Sequence, residues 1–172
     1  VAQIDNQIAA EKARDGSSEK SVAKIKAMES KKLAIQKKAF ETKRKIGIAE
    51  TIIEFKPDIL VLGDYDKGTL NTTSWLEDVD LELPDIEYGV VDSRYGSLDL
   101  RWLEPCRYKI WHATGEEYNE KWAKNFDIIF WTNGPEDVRI LKYGEQIATL
   151  PVPSDTQVID TCGSGDTFTA TL

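Results

Sequence analysis

The chain has 172 residues, 41% hydrophobic, 30% charged and 9% aromatic, which suits a soluble globular protein of one domain or one and a half. No stretch approaches the ~20 apolar residues of a membrane span. The net charge of −8 is uneven: residues 1–50 carry 12 Lys and Arg against 7 Asp and Glu, and residues 51–172 carry 10 against 23. The acidic part argues against a broad nucleic-acid surface, and the basic part reads first as a solvated helix face, second as a contact for phosphate or acidic partners.

Val1-Ala2-Gln3-Ile4-Asp5 is polar and does not read as a signal peptide, so a cytoplasmic protein is expected. The missing initiator Met points to a processed or partial chain. Residues 1–20 are polar, with a loop at Asp15-Gly16-Ser17-Ser18 whose serines suit a helix cap. From Ser21 to Phe55 there is no Pro and one Gly, and good helix formers dominate. Val22, Ile25 and Met28 share one face, and Ile46, Ala49 and Ile53 another, which predicts one long or two consecutive helices. No heptad run long enough for a coiled coil is present.

Pro57 ends that helical stretch, and Ile59-Leu60-Val61-Leu62 reads as a buried parallel strand. A loop follows at residues 63–68, then a helix near Thr72–Val79. Tyr88–Val91, Tyr108–Trp111 and Asp127–Trp131 repeat the strand pattern, with a helix after the second running to about Lys124. Val138–Tyr143 and Gln146–Leu150 flank Gly144-Glu145 as a β-hairpin. Val158-Ile159 leads through a glycine-rich turn into a final helix. Alternating strands and helices predict an α/β domain with a largely parallel sheet, and such sheets bind ligands beyond the carboxyl ends of their strands. Asp64, Asp92, Glu117, Asn133 and Asp166 fall at those ends.

Two cysteines, Cys106 and Cys162, are too few for a disulfide framework or a four-cysteine zinc site, and reduced thiols are expected. The single His112 excludes sites that need two, and reads as structural. Trp111 and Trp131, at strand ends, read as core or interface packing.

Gly163 and Gly165 flank the small Ser164 at a helix start. Such a turn exposes several N–H groups and, with the helix dipole, makes an anion nest. Asp166, in the first helical turn, can accept a proton from a hydroxyl attacking phosphorus.

Asp160-Thr161-Cys162-Gly163-Ser164-Gly165-Asp166-Thr167-Phe168 resembles the D-T-x-G-x-G-D-[ST]-[FY] signature of ribokinase-like (PfkB-type) carbohydrate kinases. Asp64-Tyr65-Asp66-Lys67-Gly68 is similar to the D-Y-x-K-G segment of the branch that phosphorylates heptose 7-phosphate. Val91-Asp92-Ser93-Arg94 is similar to that branch's V-D-P-K. Thr132-Asn133-Gly134 resembles the family's T-x-G turn near the nucleotide.

The resemblance covers about residues 46–172 and implies a partial ribokinase-like three-layer core, with a mostly parallel sheet, preceded by a basic helical segment over 1–45. It implies Asp166 as catalytic base and Gly163, Ser164 and Gly165 as the anion hole. Thr132, Gly134 and Glu117 would serve ATP, and Glu117 also Mg2+. Asp64, Lys67, Asp92 and Arg94 would face a sugar or sugar-phosphate substrate.

In the family's N-x-x-E motif, Thr114 stands in place of Asn if Glu117 is the Glu, and Ala113 does so if Glu116 is. The glycine-rich sugar-binding half that precedes this region in the family, and the segments after the last helix, have no counterpart here. The chain therefore reads as part of a carbohydrate kinase. Its rival is a degenerate kinase-like fold serving binding or assembly, self-association included, through the N-terminal helices.

Overall fold

In a computed structural model the structure describes residues 1–15, 18–64, 70–72, 76, 80–94, 96–152 and 164–172, with the side chains of Asp15, Asp64 and Glu116 outside that description. The chain divides into two compact units, residues 1–47 and 48–172.

The first unit is an antiparallel helical hairpin. Helix α1 (Ala2–Asp15) lies within the segment expected to be helical, although its stripe is only Ile4 and Ile8, set among polar residues. Helix α2 (Glu19–Phe55) is a single continuous helix of 37 residues. Ile4, Ile8 and Ile25 form a small buried cluster with Met28 packed against it. Glu11 ties the two helices, accepting from Ser21 Oγ at 3.0 Å and Lys24 Nζ at 2.6 Å. Asp5 and Lys32 pair at 2.5 Å. The Lys24 hydrogen bond, opposed by burial and helped by Ser21, Arg14 and the Lys24 charge, holds the Glu11 carboxyl below its ordinary range.

In the second unit α2 ends where Lys56 takes φ +44° and donates its N–H to Ile52 O at 2.9 Å, with Pro57 next. A left-handed residue followed by proline is a standard way to stop a helix. A six-stranded sheet follows: β1 (Ile59–Asp64), β2 (Ile86–Ser93), β3 (Cys106–Thr114), β4 (Ile128–Thr132), β5 (Val138–Lys142) and β6 (Glu145–Leu150). The strands lie in sequence order; β1 to β4 are parallel, and β4 to β6 antiparallel. This is an α/β unit with a mostly parallel sheet. The expected helix at Thr72–Val79 lies almost wholly outside the described residues.

One sheet face is deeply buried; on the other Ile59, Val61, Tyr88 and Tyr108 stay exposed, so β1 is half-buried rather than the buried strand expected. Val91, Trp111 and Ile129 are in register and fully buried. Trp111 meets Trp122 edge-on at 4.7 Å and Phe126 at 5.4 Å. The chain between β3 and β4 carries Trp122 in a short helix α3 (Glu120–Ala123) and Phe126 just after it; Asn119 caps the helix, its Oδ1 accepting from the N–H groups of Lys121 and Trp122. The expected helix from Glu117 to Lys124 is thus a 3₁₀ turn, Gly115–Glu117, followed by this one turn of α-helix. The last helix, α4 (Ser164–Thr171), packs through Phe168 on His112 and Phe130, residues of the opposite pleat.

The β5–β6 hairpin turns at Tyr143 and Gly144, with φ of +51° and +86°, one residue before the expected Gly144-Glu145. Two consecutive positive φ values match the right-handed twist of a two-residue hairpin.

Candidate functional site

Parallel register brings four strand ends to one edge of the sheet. Asp64 pairs with Ser93, Asp92 with His112, and Thr114 with Thr132. Residues far apart in sequence thereby share the edge where α/β sheets hold ligands.

Asp92, at the end of β2, is turned toward α4. Its Oδ2 accepts from Thr169 Oγ1 at 2.9 Å, and its Oδ1 lies 3.5 Å from His112 Nδ1. The His112 hydrogen bond, then that of Thr169, lowers the Asp92 carboxyl below its ordinary value against the opposing effect of burial. Asp92, expected to face substrate, has both carboxylate oxygens engaged with the fold. His112, 1% exposed, also meets Thr169 Oγ1 at 2.9 Å and Thr132 Oγ1 at 3.0 Å. Its partners thus come from β2, β4 and α4. Thr132, expected beside the nucleotide, spends its hydroxyl on this network.

Asp166 stands in the first turn of α4 and is exposed; Ser164 and Gly165 begin the same turn. A Cβ added to Gly165 would lie 3.7 Å from His112 Cε1, so the first turn rests on the imidazole ring. Gly163, Cys162 and Asp160 lie outside the described residues, as do Lys67 and the Asp64 side chain.

Glu117 closes the 3₁₀ turn after β3. One carboxylate oxygen accepts from Thr114 Oγ1, and the other lies 3.3 Å from Arg94 Nε. Arg94 is 69% exposed. Ser97 Oγ, which donates to Arg94 O at 2.8 Å, fixes the turn that presents it. Thr114, where the family pattern has Asn, binds the carboxylate instead of offering an amide. Gly134 takes φ +56° in a turn closed by Glu136 N–H to Asn133 O at 3.1 Å. Beside it, Tyr118 stacks on Trp131 at 4.4 Å and Arg139 lies 4.7 Å from the Trp131 ring centroid.

Comparison with protein-family models, curated proteins and solved structures found no match. The site is therefore read from its own chemistry. It combines an exposed carboxylate at a helix N-terminus, a second carboxylate at a strand end and an exposed guanidinium paired to it. The helix N-terminus and the guanidinium favour an anion, whereas the two carboxylates favour a cation or a hydroxyl donor. Glu117 offers hard oxygen donors of the kind Mg2+ takes. A carboxylate accepts about four hydrogen bonds, so its two protein partners leave capacity for a metal-bound water. Among the described residues no cluster of three or more His, Cys, Asp or Glu could hold a metal by itself.

Two other features lie apart from this edge. A groove of about 530 Å³ borders the opposite end of the sheet, with Asp85, Arg101, Glu104 and Pro105 in its lining. It has a mixed, mainly acidic lining next to the starts of β2 and β3. Cys106, at the start of β3, is buried and its thiol is pushed up to about 11 by that burial, so it is no nucleophile. Among the described residues no helix is long and apolar enough to cross a membrane.

The sequence singled out Asp92, Thr132 and His112 but gave them separate roles, and it missed Thr169 altogether. The available signal was a hydroxyl one helical turn after Asp166. Its partners lie 77 and 57 positions away, beyond the reach of local pattern.

Proposed function

We propose that this chain is part of a ribokinase-like carbohydrate kinase, which transfers the γ-phosphoryl group of ATP to a hydroxyl of a sugar or sugar phosphate. The observation that carries the reading is the turn Ser164-Gly165-Asp166 at the start of α4, held against the strand ends by Thr169. The D-T-x-G-x-G-D-[ST]-[FY] resemblance supports it, and the heptose-phosphate branch is favoured by the segments around Asp64 and Asp92.

In this reading Asp166 takes the proton of the acceptor hydroxyl as that oxygen attacks phosphorus. The new O–P bond forms, the bond to the bridging oxygen breaks, and ADP leaves. The N–H groups from Gly163 to Asp166, with the helix dipole, hold the oxygens of the transferred group. Arg94 would meet phosphate, and Glu117 would hold a water of Mg2+. Mg2+ bound with ATP supplies neutralisation of the triphosphate charge.

The test is Mg2+-dependent ATP turnover against heptose 7-phosphate, ribose and fructose phosphates. Acceptor-dependent turnover that falls about 10²- to 10⁴-fold in Asp166→Asn is the expected result. No acceptor-dependent turnover with a folded protein counts against it.

A second reading, an assembly subunit built on a kinase-like fold, is favoured by α2, which exposes Leu33 at 67% and Phe40 at 63%. Lysines surround both residues. Concentration-dependent association lost in Leu33→Ser with Phe40→Ser, in a protein without turnover, would select it.

A further inference from the structure

We propose that Asp92, His112 and Thr169 form a seat that fixes the position of α4, which makes His112 and Thr169 positioning residues for Asp166. The task given to Asp166 rests on the kinase reading; the seat rests on geometry.

The bonds made by Thr169 have a determined direction. Thr169 has a single hydroxyl proton and gives it to Asp92 Oδ2 at 2.9 Å, since a carboxylate only accepts. Toward His112 Nδ1, at 2.9 Å, the same oxygen must then accept, which places the ring proton on Nδ1. Nε2 lies 3.0 Å from Thr132 Oγ1, a hydroxyl that also has Ala113 O at 3.4 Å. Thr132, His112, Thr169 and Asp92 thus form one polar network, in a place where His112 is 1% exposed.

His112 touches two successive turns of α4. Phe168 lies 4.8 Å from it, ring to ring, and Thr169 is bonded to it in the second turn. In the first, a Cβ added at Gly165 would lie 3.7 Å from Cε1, so the backbone there passes close to the ring. An eight-residue helix has little stability of its own, so its contacts decide its orientation. Asp166 precedes Thr169 by three positions and so lies on the adjoining side of the helix. A tilt or slide of α4 at Thr169 moves the Asp166 carboxylate with it, and proton transfer is sensitive to such displacement.

The test compares the full chain with Thr169→Val, which keeps the shape and removes both bonds, and Thr169→Ser, which keeps the hydroxyl. Amide exchange across residues 164–171 is measured beside that of the β5–β6 hairpin, with turnover followed in parallel. Thr169→Val is expected to exchange about tenfold faster in α4 while the hairpin is unchanged, as for the loss of a hydrogen bond to a charged group. Thr169→Ser is expected to return to the original rate. Where turnover is present, Thr169→Val lowers kcat at nearly constant KM and serine restores it. Unchanged α4 protection in Thr169→Val overturns the seat, as does a loss spread equally over the hairpin or a failure of serine to rescue. The two ideas fail separately: absence of turnover in the original protein counts against the kinase reading, while the exchange result decides the seat.

Discussion

The Asp92 carboxyl shows how one side chain ties chemistry to stability. Its bonds to His112 and Thr169 hold it below its ordinary value in the fold, while in the unfolded chain it titrates normally. A lowered acid contributes stability above its unfolded value, and that contribution is lost as pH falls through the folded one. The difference in melting temperature between the original protein and Asp92→Asn is therefore expected to narrow below about pH 4. A constant difference from neutral to acid pH would show that the charge of Asp92 is not what stabilises. Gly89 is set by space rather than charge. A Cβ there would lie 2.7 Å from Cys106 Sγ and 2.8 Å from Leu103 Cδ2, both in buried side chains. Gly89→Ala is expected to cost about 1–3 kcal/mol as overpacking, read by denaturant unfolding. No loss of stability would mean that Leu103 and Cys106 yield freely.

At the scale of elements, each boundary has a local cause where the backbone turns sharply. Lys56 ends α2 with φ +44°, a conformation that costs a side-chain-bearing residue about 1–2 kcal/mol. Glycine removes that penalty but frees the unfolded chain, so Lys56→Gly is expected to stabilise by no more than ~1 kcal/mol. A fall in melting temperature would show that the lysine side chain contributes more than the strain it bears. The helix α4 is the contrasting case. It is short, and its placement depends on Phe168 and Thr169 against the sheet, so its order follows from packing rather than from helix propensity.

At the scale of the whole molecule, two cores exist. One is the cluster of Ile4, Ile8 and Ile25 between two helices; the other contains Trp111, Phe126 and Ile129 beside the sheet. Ile25→Ala is expected to cost about 2 kcal/mol in the first. Amide exchange should rise in α1 and leave β2 to β4 protected. Equal loss of protection in the sheet would show that the two units unfold as one. The sequence by itself determined much of this arrangement. The apolar runs marked the parallel strands β1 to β4, though β1 buries only Leu60 and Leu62; the Pro-free stretch marked α2, and Tyr143-Gly144 lies within a residue of the expected turn. These are local signals, because side-chain period and backbone restriction act over a few residues. The glycine-aspartate turn at the start of α4 was legible for the same reason. Only tertiary structure decided the rest. The pairing of α1 with α2 is not visible in its thin stripe, since Ile4 and Ile8 find Ile25 only when the two helices pack. Asp92, His112, Thr132 and Thr169 come together only through the register of parallel strands and the docking of α4. Their partnership is written in no local pattern, since each bond joins residues brought close by the burial of others.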